Sequence, residues 1–389
     1  IDLMLVILFA GGAFHLLTKT GALHAVIAKM AKAFSGKVYI FLPILTLVFG
    51  LICTTQGVNL FIAFAPIMVM MAFAMGLDSI TGASIILLGG AIGFATGPLN
   101  INTTIVAQKI AELPLYSGVG YRFVCFAVYY VITNVYLIRY ALKIQKNPEL
   151  SPMYELDKTS EFRNEADLSS FGTLDARKIL IMITFFASLI LIVYGGIALD
   201  WKMEETASVF LAMAIIIGAI AGFGPSQISK EFLDGCKKML GAAFIIGMAQ
   251  AISGIMNAGH ITDTVVHSLA AGLNSVPSIL QGPAMLIANT IINVFLTSGS
   301  GQAAAVIPIM APLADLVGMT RQTAILAFNF GDGFCNYILP TSTALMGIIS
   351  AVNIPYDRWM KFMWKLFLIW MVVGSVLLMI AQAMHWGPM

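Results

Sequence analysis

Charge is what this 389-residue chain has least of: Asp, Glu, Lys and Arg make up 10% of it, against about 25% in a soluble protein. With 59% hydrophobic residues and a mean hydropathy of +0.91, the chain belongs in lipid. Its apolar runs hold about ten membrane-depth elements at roughly 20 residues per crossing. A large soluble receptor, enzyme or nucleic-acid-binding domain has nowhere to sit. The 21 basic and 19 acidic residues leave a net charge of only +2, so no polyanion partner, DNA or RNA, is expected. The four cysteines, Cys53, Cys125, Cys236 and Cys335, stand 72, 111 and 99 residues apart. Metal and redox motifs need far shorter spacings, so these read as packing residues. No H-E-x-x-H and no G-x-x-x-x-G-K-[ST] occurs; metalloprotease chemistry, direct ATP use and a bound cofactor are therefore not expected. The first residues, IDLMLVILFAGGAFHLL, carry no starting methionine, basic leader or cleavage site, and read as part of a helix pair whose earlier portion is missing.

The longest polar stretch runs from Lys143 to Lys178 and holds 13 of the 40 charged residues. It divides the chain into a first repeat (1–144), a solvated cytoplasmic loop (145–176), scaffold helices with a connector (177–240) and a second repeat (241–389). In the first repeat, apolar runs at Leu3–Leu17, Val38–Cys53, Leu60–Met75, Ser79–Ala95 and Tyr121–Leu142 predict helices. The segment at 21–34 has its apolar positions at helical spacing with lysines off the stripe, the pattern of an interfacial helix. Two spans, Ile179–Leu199 and Ala207–Ala221, connect the halves. The second half then repeats the order: a helix at 241–256, an interfacial helix at 260–273, arms at Leu280–Leu296 and Ala303–Val317, a helix from Thr323, and Trp359–Ala383.

The recurrence is literal. At an offset of 242, Thr55–Pro98 overlies Thr297–Pro340 without a gap, with 11 identities in 44 positions that include two prolines, three glycines and a P-I-M triplet. Matching breaks as well as apolar runs indicates an internal repeat. Lysines and arginines bordering the first hairpin, the central loop and the last span are expected on the cytoplasmic side. That bookkeeping makes the two repeats inverted, each with one re-entrant hairpin and one broken transmembrane helix. The fold class is an all-α membrane protein.

Four polar interruptions, TTQGVN, TGPLNIN, TSGSGQ and NYILPTS, fall where helices stop at membrane depth. Their free backbone groups must meet protein, water, ion or solute. Half-helix starts direct N–H groups at a carboxylate, while interrupted ends offer carbonyls that, with Thr, Ser and Asn oxygens, can hold a small cation. Inverted repeats add a means of opening one site to either side in turn. Together these imply a carrier. An ion channel would use the same breaks as a continuous pore, and a noncatalytic membrane assembly protein is a third alternative. Asp332, flanked by glycines in AFNFGDGFCNYILPTS, is the acid best placed to bind a proton, sodium or a cationic headgroup. Asn59 and Asn329 join it as coupling candidates.

GGAFHLLTKTGAL, the P-I-M hairpin, ATGPLNINTT and above all FGDGFCNYILPTSTALMGI resemble the YfcC-like carriers, part of the anaerobic C4-dicarboxylate carrier and arginine/ornithine antiporter-like group. That group is similar to the ion transporter superfamily, and the likeness covers nearly the whole chain. The resemblance implies a multi-pass bacterial inner-membrane transporter, a homodimer with a scaffold and a moving region. In its dicarboxylate members, Ser-Asn-Thr motifs at hairpin tips and broken helices bind sodium and substrate. The matching places here are Thr55, Gln56 and Gly57; Asn100, Ile101 and Asn102; Ser298, Gly299 and Ser300; and Pro340, Thr341 and Ser342, with Asn336 at the same break. None spells S-N-T, but the oxygens persist, and Thr55, Asn59, Asn100, Ser298 and Thr341 are candidate sodium ligands. Sodium or a proton is the expected coupling ion. An amino acid, a basic one by antiport among them, suits Asp332 as partner for a cationic end. A C4-dicarboxylate would call for an arginine at the site, where Arg321 is the only candidate and is expected to be superficial.

Overall fold

The computed structural model describes residues 2–22, 25, 37–55, 57–165, 175–199, 201, 203–240, 243–244, 255, 258–259 and 276–387. Every regular element among them is helical, which lets each segment satisfy its own backbone N–H and C=O groups in hydrocarbon. The chain opens with α1 (Asp2–Lys19), α2 (Val38–Cys53), a 3-10 segment (Val58–Phe64) running into α3 (Ala65–Ala74), and α4 (Ser79–Thr96). A π-helical turn (Ile101–Ile105) leads into the short α5 (Val106–Ile110) and the long α6 (Val119–Lys146). Two one-turn helices, α7 (Tyr154–Lys158) and α8 (Glu161–Glu165), precede α9 (Ala176–Ala198), α10 (Met203–Ala221) and α11 (Pro225–Lys238). The last set is α12 (Ser278–Phe295), α13 (Gly299–Leu316), α14 (Arg321–Cys335), α15 (Thr343–Ala351) and α16 (Tyr356–Ala383). The expected helix at 241–256 and the expected interfacial helices at 21–34 and 260–273 fall largely outside the described residues.

Among the described residues, four helices are long and apolar enough to cross a bilayer: α4, α6, α16 and Glu204–Ala221 within α10. Within α4, 94% of the span is buried inside the protein, against 39% in each of the others. α4 is therefore a central post, and the others line the outside. Its packing depends on close approach: a Cβ on Gly89 would lie 2.7 Å from the Thr46 carbonyl oxygen of α2. α1 packs on α10 and α11, and α9 on α10, and this layer meets the rest of the protein at the 3-10 segment, where the Phe14 and Phe185 rings lie against Phe64.

Local structure recurs at the offset of 242. Gly76 and Gly318 both take left-handed backbone, at φ +73° and +72°, a conformation glycine reaches without a Cβ penalty. Two residues on, Asp78 Oδ1 accepts the Thr81 N–H at 2.9 Å and caps α4, while Thr320 Oγ1 accepts the Thr323 N–H at 3.2 Å and caps α14. Past each break, Asn100 Oδ1 accepts from Thr103 N–H at 3.1 Å and Ser342 Oγ from Leu345 N–H at 3.4 Å. These are N-cap bonds at equivalent positions. α2 and α3 flank α4 as α12 and α13 flank α14, α6 and α16 back the two sets, and α4 and α14 pack on each other.

The central loop is not wholly solvated as its composition suggests. Ser151, Asp157 and Phe162 are buried. Asp157 Oδ2 accepts the Ser79 N–H at 3.0 Å, and Ser151 Oγ donates to Asp78 Oδ2 at 2.6 Å. The start of a buried helix has unpaired N–H groups that attract acceptors and negative charge, so the loop is drawn onto the N-terminus of α4.

Candidate functional site

α4 stops because Gly97 turns left-handed, at φ +51°, and Pro98 cannot continue the ladder. Thr104 Oγ1 bridges the break by donating to the Gly97 carbonyl at 2.7 Å and lies 3.3 Å from Asn329 Oδ1. Asn329 belongs to α14, where Asn329, Asp332 and Asn336 follow at spacings of three and four and so share one face. Asn336 Nδ2 donates to the Asp332 carbonyl at 2.8 Å and lies 3.3 Å from Asp332 Oδ1. From α12, Asn293 Nδ2 donates to the same carbonyl at 3.1 Å. Asp332 Oδ2 is buried and has no hydrogen-bond partner.

The tip of the second hairpin closes over this face. A Cβ on Gly299 would lie 2.5 Å from Thr103 Cγ2 and 3.0 Å from Asp332 Oδ2, so any side chain at the tip would require Thr103 or the tip itself to shift. Along the same element, Gln302 Nε2 donates to the Asn289 carbonyl at 3.0 Å. The hairpins engage crosswise: α13 packs on the π-helical turn and α5, while the 3-10 segment packs on α15. There, Thr343 Oγ1 donates to Asn59 Oδ1 at 3.4 Å, and Thr341 Oγ1 is buried without a partner.

The expected site residues thus divide. Asn100, Gly299, Asn329, Asp332 and Asn336 gather at the first break and the second tip; Asn59, Thr341 and Ser342 gather at the other pair. Ser298, Ser300 and Pro340 are exposed, and Ser298 Oγ is engaged in accepting the Gly301 N–H at 3.3 Å. Thr55 Oγ1 donates to its own helix at the Ile52 carbonyl, 2.9 Å away, and a Cβ on Gly57 would meet nothing within 4 Å. Asn102 lies in the π-helical turn, and Gln56 is outside the described residues.

One expectation is corrected. Arg321 is at the surface as foreseen, paired with Asp315 at 2.7 Å, but it is not the only arginine near a transport helix. Arg122, from the first turn of α6, has no exposed surface. Its Nη1 donates to Asn329 Oδ1 at 2.8 Å and to the Thr96 carbonyl at 3.1 Å, and the Trp386 ring centroid lies 5.8 Å from Cζ. A guanidinium at the carbonyl end of α4 offsets that helix's negative dipole. Asp332 and Arg122 are thus both fully buried, and the Asn329 that Arg122 contacts stands three residues before the acid on α14. The signal that could have found Arg122 is a cation four residues into a long apolar helix; the asparagines of α12 carried a similar one.

Sequence comparison matches residues 1–383 to the DcuC family, described as C4-dicarboxylate anaerobic carriers. YfcC of Escherichia coli (strain K12), provisionally assigned as a basic amino acid antiporter, is 32% identical over 401 residues, covering 99% of this chain and 78% of that protein. An uncharacterized protein of Haemophilus influenzae is 28% identical over 390 residues, with 99% and 76% covered. Among solved structures, the YdaH transporter of Alcanivorax borkumensis aligns at TM-score 0.49 and 16% identity, covering 98% of this chain and 86% of that one. MtrF of Neisseria gonorrhoeae, of a class of antimetabolite efflux pumps, gives the same score and identity, with 99% and 82% covered. A family match over residues 1–383 and a relative above 30% identity matched over 78% of its length make this chain a member of the DcuC family of membrane carriers.

Proposed function

We propose that the chain is a secondary active transporter of a small carboxylate-bearing solute, an amino acid, across the bacterial inner membrane. The observation that carries this reading is the presence of two buried groups of opposite sign, Arg122 and Asp332, the first bonded to Asn329 and the Thr96 carbonyl at the end of α4 and the second three residues beyond Asn329 on α14. Charges buried at membrane depth are costly and mark solute or ion paths. Asp332 can take an ammonium or guanidinium end while the donor groups around Arg122 take a carboxylate. The name of YfcC, provisionally assigned as a basic amino acid antiporter, supports the same class and exchange as its mode.

In this reading the two arrays are inverted repeats with re-entrant hairpins. α2, with 16 residues, spans about 24 Å at 1.5 Å per residue, short of the roughly 30 Å hydrocarbon core. A homodimer joins through the scaffold layer, leaving the hairpin-bearing part free to move. Sodium or a proton couples transport, with Thr55, Asn59, Asn100, Ser298 and Thr341 as candidate oxygen ligands for sodium and Asp332 for a proton. Arg122, and the family description, favour one second reading, a coupled C4-dicarboxylate carrier. Uptake of radiolabelled L-arginine, L-ornithine and succinate into proteoliposomes, with sodium and proton gradients imposed separately, tests the proposal. Saturable accumulation under one gradient supports it; large unitary currents without saturable uptake would favour a channel and reject it.

A further inference from the structure

Arg122 uses only one edge of its guanidinium. Both bonds to the protein, to the Thr96 carbonyl and to Asn329 Oδ1, leave from Nη1. Nε and Nη2 are buried and find no acceptor. Those two nitrogens form the side-on fork of an arginine, whose parallel N–H groups match the two oxygens of a carboxylate. Next to it, Asn329 Nδ2 is a third buried donor without a partner. Capping α4 accounts for Nη1; it leaves the fork unexplained, and a buried charge with an unused face is a costly feature to retain.

We infer that Arg122 is the carboxylate receptor of the transport site, taking the group side-on across Nε–H and Nη2–H with Asn329 Nδ2 as an auxiliary donor. This rests on the carrier reading above and adds the residue that reads the substrate. Charge balance sets the ligand class. A single carboxylate neutralises Arg122 one for one, whereas a dianionic phosphate would leave an uncompensated negative charge near Asp332. The bonds from Nη1 act as positioning: they hold the guanidinium plane so that the fork is presented without rearrangement.

The test pairs each acid with its neutral counterpart. Counterflow by the purified full chain in proteoliposomes is measured for L-arginine against L-argininamide and for succinate against succinamide. The acid that exchanges is expected to lose at least about tenfold in apparent affinity when its carboxylate becomes a carboxamide, the scale of a charge-assisted hydrogen-bond pair. Arg122→Lys keeps the charge but not the fork, and should shrink the acid-to-amide ratio by roughly tenfold while total folded protein stays comparable. A purely structural cap would lower the amount of folded carrier and leave that ratio alone. Equal handling of acid and amide by the wild type, a measurement that needs no variant to fold, would overturn the assignment; so would an unchanged ratio in Arg122→Lys. Failure of every acid to exchange would instead take down the carboxylate-carrier reading and this inference with it.

Discussion

The sharpest structural asymmetry lies between two equivalent glycines at the hairpin tips, Gly57 and Gly299. A methyl at Gly57 would have no heavy atom within 4 Å, while at Gly299 it would lie 2.5 Å from Thr103 Cγ2 and 3.0 Å from Asp332 Oδ2. Carbon atoms in contact sit about 3.5–4.0 Å apart, so Gly299→Ala requires about 1 Å of movement, shared between the Thr103 side chain and the tip. Overpacking of this kind costs roughly 1–3 kcal/mol, or about a 5- to 150-fold shift against the closed arrangement. Gly57→Ala should stay within about 0.5 kcal/mol of wild type. Thermal unfolding in detergent and the half-saturation concentration for counterflow measure the two effects side by side. We expect Gly299→Ala to raise the half-saturation concentration at least fivefold with a small change in melting temperature, and Gly57→Ala to change neither. Equal behaviour of the two variants would refute the closure of the second tip on Asp332 and Thr103.

Two more substitutions separate folding from function. Asp332→Asn removes a buried charge whose Oδ2 is unpartnered, relieving a burial penalty of several kcal/mol. The melting temperature should therefore hold or rise while gradient-driven accumulation falls; accumulation with unchanged ion dependence would remove Asp332 from the coupling role. In the docked loop, burial raises the Asp157 carboxyl from 3.8 to about 6, opposed by the Ser79 N–H and reinforced by the nearby Asp78. The folded state then binds a proton that the unfolded state has released, so loop docking weakens as pH rises through about 6, by about 1 kcal/mol between pH 5 and 7. Hydrogen exchange at the Ser79 amide reads that change, which Asp157→Asn should flatten; a retained slope would assign it elsewhere.

Apolar periodicity located most of the helices, because a helix in lipid has little else to be. The expected arm Val38–Cys53 coincides with α2, and Ser79–Ala95 falls one residue short of α4. Both breaks were legible too, since Gly97-Pro98 and Pro340 interrupt apolar runs at matching places. What escaped depended on contacts between distant residues. Arg122 meets Asn329 across 207 positions, and nothing in the sequence near Arg122 names that partner. Asp157 sits in a charged stretch whose composition reads as solvated, yet its acceptor fills the free N–H of Ser79, 78 residues away. The hydroxyls of Thr55 and Ser298 fitted a ligand-binding pattern, but local backbone bonds already engage them, the usual competition between a side chain's own turn and a ligand.

The solute site we propose at the crosswise helix breaks is exposed to one side at a time. Trans-acceleration tests it most directly: proteoliposomes loaded with labelled L-arginine or succinate are diluted into buffer with and without the same solute, under conditions that collapse ion gradients. External solute is expected to speed efflux of the label in a saturable way, and Arg122→Gln to abolish the acceleration. Efflux that is linear in concentration, indifferent to external solute and accompanied by unitary currents would contradict one-sided exposure.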